Sequence, residues 1–308
     1  MRILVTGGAG FIGSNFVEHI IETSDDEVVT FDALTYAGSK KNLEGVLEHP
    51  QHEFVEGDIR DADLVGDLVS DVDAVVNFAA ESHVDRSIEG AESFVSTNVQ
   101  GTQTLLDAAN DAEIDRFVQI STDEVYGQIV DGSFAEEDPL NPRNPYSATK
   151  ASADLLAQSY KTTHGLPVVI TRTCNNYGPN QHPEKLIPKF ITNATQGKSL
   201  PVYGDGSNVR EWIYVEDNCR ALELVLREGD VGEVYNIGTD EEKTNLEVTQ
   251  AILEAVGASE DLIEFVDDRA GHDQRYALDS SKVESLGWEP QYSFEEGLGE
   301  TVNHFVER

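Results

Sequence analysis

The chain has 308 residues, 39% of them hydrophobic, and 58 Asp and Glu against 21 Lys and Arg give a formal net charge of −37. That length and apolar content fit one large α/β domain with a smaller lobe and exclude a disordered chain. So negative a balance excludes nucleic acid and anionic membrane surfaces as partners. The acids form no tail. The largest clusters are short, as at Glu136-Glu137-Asp138, and acidic pairs recur throughout. Such a chain repels itself at low salt, which predicts a protein adapted to a very salty cytoplasm. Two cysteines, Cys174 and Cys219, make no disulfide framework and fit a reducing cytoplasmic compartment. The apolar start Ile3-Leu4-Val5 is broken by Gly7 and Gly8, too soon for a signal peptide. No stretch approaches the roughly 18 apolar residues of a membrane span.

In chain order, Ile3 to Thr6 reads as a buried strand, and Phe11, Phe16, Val17, Ile20 and Ile21 follow with helical spacing. Val28 to Phe31, Phe54-Val55, Ala74 to Phe78, Phe117 to Ile120 and Val168 to Thr171 read as five further strands. Helical segments lie between them, near 61–70, 92–110 and 147–163. This alternation predicts parallel βαβ units, a doubly wound Rossmann-type sheet over residues 1–175. Beyond 175, Pro179, Pro183, Pro188 and Pro201 break the rhythm, and Gly204 to Asn208 reads as a turn. A segment near 211–239, with a strand at Glu233 to Ile237, is expected to return to the main sheet. The rest of 176–308, with helices near 246–256 and 281–286, is expected to form a smaller substrate-binding lobe.

Between the first strand and first helix stands Gly7-x-x-Gly10-x-x-Gly13. Glycines there permit a tight turn and close approach of a pyrophosphate, which meets the positive helix N-terminus. Asp32 ends the second strand, 19 residues after Gly13. A carboxylate at that place accepts from ribose hydroxyls and repels a 2′-phosphate, so NAD is expected over NADP. The competing reading of Asp32 is one more surface acid. Asp58-Ile59 follows the third strand and is expected at the adenine; Ala79-Ala80 ends the fourth with side chains small enough for a cofactor to lie against. No metal-ligand set is read.

Tyr146 and Lys150 are four apart in a good helix and so share a face. An adjacent ammonium favours phenolate, predicting a tyrosine pKa lowered from about 10 toward working pH, fit to take a proton from a sugar hydroxyl. Tyr36 and Lys40 repeat the spacing but sit in a stretch with Gly38, where a loop is expected. Thr122 follows the fifth strand, where ligands collect, and its hydroxyl can hold the same substrate oxygen as Tyr146. Asp123 and Glu124, next in line, are either a solvated acidic turn or a pair that splits acid and base roles with its pKa values driven apart.

Thr6 to Gly13, Ser121-Thr122-Asp123-Glu124-Val125-Tyr126-Gly127 and Tyr146-x-x-x-Lys150 resemble the extended short-chain dehydrogenase/reductase family. More narrowly they resemble its dTDP-glucose 4,6-dehydratases. The likeness continues through Asp32 to Gly38, Ala80 to Ser87, Asn175 to Pro179, Pro183 to Pro188, Val202 to Gly206, Arg210 to Asp217 and Asp268 to Asp273, nearly the whole chain. The resemblance implies NAD as cofactor and transient oxidation at C4 of a nucleotide sugar, with Tyr146 as base and Lys150 and Thr122 beside it. Glu124 then takes the C5 proton, Asp123 protonates the departing C6 hydroxyl, and a 4-keto-6-deoxy sugar nucleotide results. It further implies cofactor contacts at Phe11, Ile12, Leu34, Thr35, Ser82, Thr97 and Asn175. For the nucleotide and its diphosphate it implies Asn176, Lys185, Arg210 and Arg269, and for the rest of the substrate pocket His83, Leu186, Pro201, Tyr203, Asn245, His272 and Tyr276. A homodimer pairing the helices near 92–110 and 147–163 is implied as well.

Ala270 stands where the family has proline, Asn180-Gln181-His182 replaces an aromatic-containing stretch, and Thr173-Cys174 departs from the order Cys-Ser. These departures bear on the nucleotide base more than on the chemistry, leaving dTDP-glucose and UDP-glucose both open. A nucleotide-sugar 4-epimerase needs Tyr146 and Lys150 but has small residues in place of the acid pair. A cofactor-sensing binding protein needs none of Tyr146, Lys150 and Glu124, all of which are present.

Overall fold

The computed structural model describes residues 1–268 and 273–306. Its strands there are β1 (Arg2–Thr6), β2 (Glu27–Asp32), β3 (His52–Glu56), β4 (Ala74–Asn77), β5 (Arg116–Thr122), β6 (Val168–Thr173), β7 (Asn175–Tyr177), β8 (Leu200–Tyr203), β9 (Val209–Tyr214), β10 (Val234–Ile237), β11 (Glu242–Thr244) and β12 (Ile263–Val266). Seven of them form a sheet in the order β10-β6-β5-β4-β1-β2-β3, every pair parallel. The order is that of a Rossmann sheet, extended by β10, with its switch point between β1 and β4. The near-continuous apolar runs of β1, β4 and β6 follow from burial on both faces.

On one face, helices Phe11–Thr23, Val215–Glu228 and Ser281–Ser285 close a core through Phe16, Ile20, Leu222, Val225 and Val283. On the other, Ala62–Val69, Thr102–Asp111 and Pro145–His164 close a second core with Val65, Leu105, Leu106 and Ala157. A third core, with Ile187, Phe190, Leu200, Trp212, Val248, Ile252 and Phe294, belongs to the smaller lobe. There β11-β9-β7 and β12-β8 form two small sheets.

The strand at 234–237 returns to the main sheet beside β6. The segment that runs back starts at Val215 rather than 211, because Arg210 to Tyr214 lies in β9 of the small sheet. β4 ends at Asn77, so Ala79 and Ala80 lie just past its end rather than within it. The helical stretch from Glu92 to Asp111 is interrupted by a π-helical segment, Val95–Gly101. Asn98, inside it, reaches out to bond both backbone groups of Glu81 and the Thr149 hydroxyl. Helix Leu186–Thr195 contains Pro188. It sits in the first turn, where a missing N–H costs nothing, so that proline does not break the helix.

Candidate active site

The loop after β1 turns back through Gly7, at φ 67°. A Cβ on Gly7 would lie 2.7 Å from the Ala79 nitrogen, and one on Gly13 would lie 2.4 Å from the Gly7 oxygen. No side chain fits either place, and helix Phe11–Thr23 starts there with no side-chain cap, its N–H groups left for an anion. A cavity of about 320 Å³ opens at this point, at the carboxyl ends of the sheet and on the switch point. Gly7, Gly10, Phe11, Ile12, Gly13, Asp32, Thr35, Asp58, Ile59, Ala79, Ala80, Ser82, Thr97, Tyr146 and Lys150 all line it. Two residues expected here do not. Leu34, at φ 47°, is packed on the first core and gives its N–H to Asp32 at 2.8 Å. Asn175 lines the neighbouring cavity instead.

Asp32 is buried, and one carboxylate oxygen accepts from the Ala9 N–H at 2.9 Å. Burial raises its pKa and these two backbone donors oppose that. Asp58 is gripped by Arg60 through both carboxylate oxygens, which holds its pKa down. Arg60, Glu81 and Glu184 also line the cavity and were given no role in the sequence, as do Gln181 and His182, marked there only as a departure from the family.

A second cavity, of about 490 Å³, is shared between the main sheet and the smaller lobe. His83, Asn176, Lys185, Leu186, Pro201, Tyr203, Arg210 and Asn245 line it, together with Glu124. Gln181, Glu184 and Lys185 line both cavities, which therefore adjoin. Lys185 donates to the Ser82 carbonyl, and Glu184 lies between His83, Arg86 and His182. Tyr276 stands behind this wall. Its hydroxyl donates to Asp273, which also pairs with Arg143, and its ring carries the Arg210 guanidinium at 4.4 Å. Arg269 and His272 lie outside the described residues.

Tyr146 lines the first cavity and Glu124 the second, and the charge of Glu124 acts on the Tyr146 phenol. The helix that carries Tyr146 and Lys150 is fixed at its start by Pro145 and by a capping box. Asn144 accepts from the Ser147 N–H at 2.9 Å, and the Ser147 hydroxyl accepts from the Asn144 N–H. Gly165, at φ 77°, ends it. The cap residue also aims at the acid pair, since Asn144 donates to Glu124 at 3.1 Å. β5 delivers Thr122 and then a single 3-10 turn, Asp123–Tyr126, capped by the Thr122 hydroxyl.

Asp123 is 3% exposed. One oxygen accepts from the Thr122 hydroxyl at 3.1 Å, and the other has no partner among the described residues. Burial, and next the charge of Glu124, push its carboxyl up to about 8. It is therefore neutral at pH 7. A solvated acidic turn would show neither the burial nor the shift.

Tyr146 departs from its expectation. Burial, followed by the charges of Glu124 and Asp123, raises its pKa rather than lowering it. Lys150 is turned to the Ile120 carbonyl at 2.6 Å, and burial brings its own pKa down to about 8. The spacing puts the two on one helix face, but in this structure the ammonium does not offset the enclosure and two acids around the phenol. Tyr36, of the repeated spacing, lies in a loop, where it supports Arg86.

The family model described as GDP-mannose 4,6 dehydratase matches residues 4–301. The chain is 73% identical to the low-salt glycan biosynthesis protein Agl12 of Haloferax volcanii, over 99% of each. It is 53% identical to a dTDP-glucose 4,6-dehydratase of Streptomyces niveus, over 99% of this chain and 93% of that one. The solved dTDP-glucose 4,6-dehydratase DesIV of Streptomyces venezuelae, with NAD and TYD bound, superposes with a TM-score of 0.98 at 55% identity, over 100% of this chain and 98% of that one. Likeness along the whole length, in both sequence and structure, leads to one statement: the chain belongs to the extended short-chain dehydrogenase/reductase family, beside the dTDP-glucose 4,6-dehydratases.

Proposed function

We propose that the protein is an NAD-dependent nucleotide-sugar 4,6-dehydratase acting on dTDP-glucose. The observation that carries this is Asp123, a buried carboxyl pushed up to about 8 beside Glu124 and close to Tyr146, two residues that line the adjoining cavities. A 4-epimerase has no use for such an acid. NAD, held by the residues that line the first cavity, would supply a hydride acceptor for C4 of the sugar and a hydride donor for C6. Tyr146 removes the C4 hydroxyl proton, with Thr122 and Lys150 in support. Glu124 removes the C5 proton, which the 4-ketone has made acidic. Asp123 gives its proton to the C6 oxygen as water leaves, and Glu124 returns a proton to C5 as C6 is reduced. Of the residues lining the second cavity, Asn176, Lys185 and Arg210 would hold the nucleoside diphosphate, and His83, Leu186, Pro201, Tyr203 and Asn245 the rest of the substrate. The cofactor therefore rests on the parallel sheet, and the nucleotide mainly on the smaller lobe. Purified enzyme given a panel of sugar nucleotides is expected to form a 4-keto-6-deoxy product from dTDP-glucose. A panel that yields only the C4 epimer would overturn this reading, and a clear preference for UDP-glucose would correct the base.

NAD rather than NADP is proposed from Asp32. Its carboxylate sits at the end of β2 against the cavity, held there by two backbone N–H groups. A 2′-phosphate would face like charge, which costs several kcal/mol. NADP is expected to bind about 100-fold more weakly or worse in an equilibrium titration. Equal affinities would remove Asp32 from its role.

The assembly we propose is a homodimer that pairs helix Pro145–His164 and the 92–111 stretch with their copies, where Val95 and Leu155 are exposed. A cytoplasmic, salt-adapted enzyme is proposed from the charge of −37. Among the described residues no helix is long and apolar enough to cross a membrane. Cations are outnumbered locally as well as globally: Arg2 alone faces Glu27, Glu53 and Asp71. The Debye length falls from about 10 Å at 0.1 M salt to about 3 Å at 1 M. The melting temperature is thus expected to climb across that range of KCl. A melt unchanged by salt would leave the composition without this explanation.

A further inference from the structure

Behind the cavity wall lies a buried polar chain that the reaction, as set out above, does not use. Asp154 is one helical turn beyond Lys150, on the same face, and is 0% exposed. It pairs with the Nε of Arg172 at 3.0 Å, and Arg172, on β6, is 2% exposed. Arg172 also donates to the Tyr126 hydroxyl at 2.7 Å and lies over the Tyr126 ring. Tyr126 in turn donates to Asn236 of β10 at 2.8 Å. Tyr126 is the last residue of the turn that begins with Asp123 and Glu124. One chain of side chains therefore runs from the lysine helix to the acid pair's turn.

We infer that Asp154 and Arg172 are positioning residues for the reaction: Asp154 keeps the Lys150 amine charged, and Arg172, holding both Asp154 and Tyr126, ties Lys150 to the turn that carries the two acids. The inference rests on the roles proposed above for Lys150, Asp123 and Glu124.

The surroundings of Lys150 narrow the choice of partner. From its own helix Tyr146 and Asp154 share its face, and from β5 the Ile120 carbonyl accepts its hydrogen bond. A carbonyl accepts from an amine as well as from an ammonium, so it does not select the charged form. Segment Val95–Gly101, which packs on the helix, holds no ionisable residue and offers the neutral Asn98. Helix Val84–Glu89, which also packs there, carries Asp85, Arg86 and Glu89. Burial acts against the ammonium, and Asp154 is the charge that acts for it; neither the acids of the 84–89 helix nor Asp123 and Glu124 contribute. Asp154 in turn faces Arg172 of β6 and Ser121 of β5. A guanidinium does not deprotonate in a protein, so Arg172 keeps Asp154 ionised although burial acts the other way. Two cations thus share one carboxylate. Through Asp154, Arg172 therefore also sustains the charge of Lys150. The Ser121 hydroxyl, beside Asp154, also lines the first cavity.

The test reads the amine itself. The Cε signal of Lys150 in carbon-13-lysine NMR, assigned by its disappearance in Lys150→Arg, is titrated on the full chain in molar KCl. The wild-type midpoint is expected near 8. Asp154→Asn keeps the shape, removes the charge, and is expected to lower the midpoint by about one pH unit or more. Arg172→Gln removes the cation that keeps Asp154 ionised, so Asp154 takes up a proton and the midpoint is expected to fall as well. Asp154→Glu and Arg172→Lys keep the charges and are expected to hold the midpoint near wild type. The alkaline limb of kcat for 4-keto product formation should move with the midpoint in each variant. General damage to the fold would not spare the charge-keeping variants. If Asp154→Asn does not fold, the downward shift in Arg172→Gln, set against Arg172→Lys, decides alone. A midpoint unmoved in either folded charge-removing variant, or moved as far in the charge-keeping ones, overturns the inference. Failure of the dehydratase reading is a separate result: wild-type enzyme then gives no 4-keto product while these NMR midpoints still stand.

Discussion

Glu124→Gln is expected to bind substrate and still oxidise it at C4, yet to release 4-keto-6-deoxy product about 100- to 10,000-fold more slowly, the usual contribution of a general base. The amide keeps the shape and can still accept from Asn144, which donates to Glu124 at 3.1 Å, so the helix cap and the 3-10 turn should hold. What is lost is the base for the C5 proton. Exchange of that proton with deuterated solvent should slow in parallel, while the absorbance of reduced nicotinamide appears on mixing. Tyr146→Phe is expected to fail one step earlier, with no such absorbance and no exchange. The two variants thus divide the reaction between the cavity that Tyr146 lines and the one that Glu124 lines. Turnover of Glu124→Gln at the wild-type rate would reduce Glu124 to a surface acid and end the assigned mechanism.

What the sequence made legible depends on how local the physics is. The glycine turn needs three residues in a row of eight, and the structure shows why at Gly7 and Gly13, where a Cβ would meet backbone. The alternation of strand and helix through residue 173 is legible because both faces of the parallel sheet are covered. In the smaller lobe β7 and β11 have three residues each, too few for any period to show. Helix Leu186–Thr195 was hidden by Pro188, a breaker everywhere except in the first turn it occupies. The state of Tyr146 was misread for a related reason. Spacing reports which residues share a face, but a pKa also answers to enclosure and to charges that arrive from other segments, here Glu124 and Asp123. Gln181, in the 180–182 stretch, lines both cavities where they meet. The sequence marked that stretch as a departure from the family but offered no pattern to say that it borders both.

Asp123 carries the second large effect, and it is read through pH. Its carboxyl, at about 8 against 3.8 for an ordinary aspartate, can serve as an acid only while protonated. The kcat for elimination is therefore expected to fall as pH rises through about 8. Lys150 loses its proton in the same range, so two deprotonations act together and the limb should approach a hundredfold loss per pH unit. Asp123→Asn cannot donate a proton to the leaving oxygen. It is expected to be about 100- to 10,000-fold slower below pH 8, and its remaining limb, due to Lys150, should flatten to tenfold per unit. Stability should also fall with rising pH, but over a lower window than activity. Between about 4 and 8 the folded protein holds a proton on Asp123 that the unfolded chain has already lost, so the wild type grows less stable as pH rises through that window. Asparagine has no such dependence. The difference in melting temperature, variant minus wild type, is then expected to increase from pH 4 to pH 8 at constant molar KCl. A difference that is flat across the window, together with an alkaline limb as steep in Asp123→Asn as in the wild type, would mean that Asp123 is already ionised at neutral pH and is not the acid.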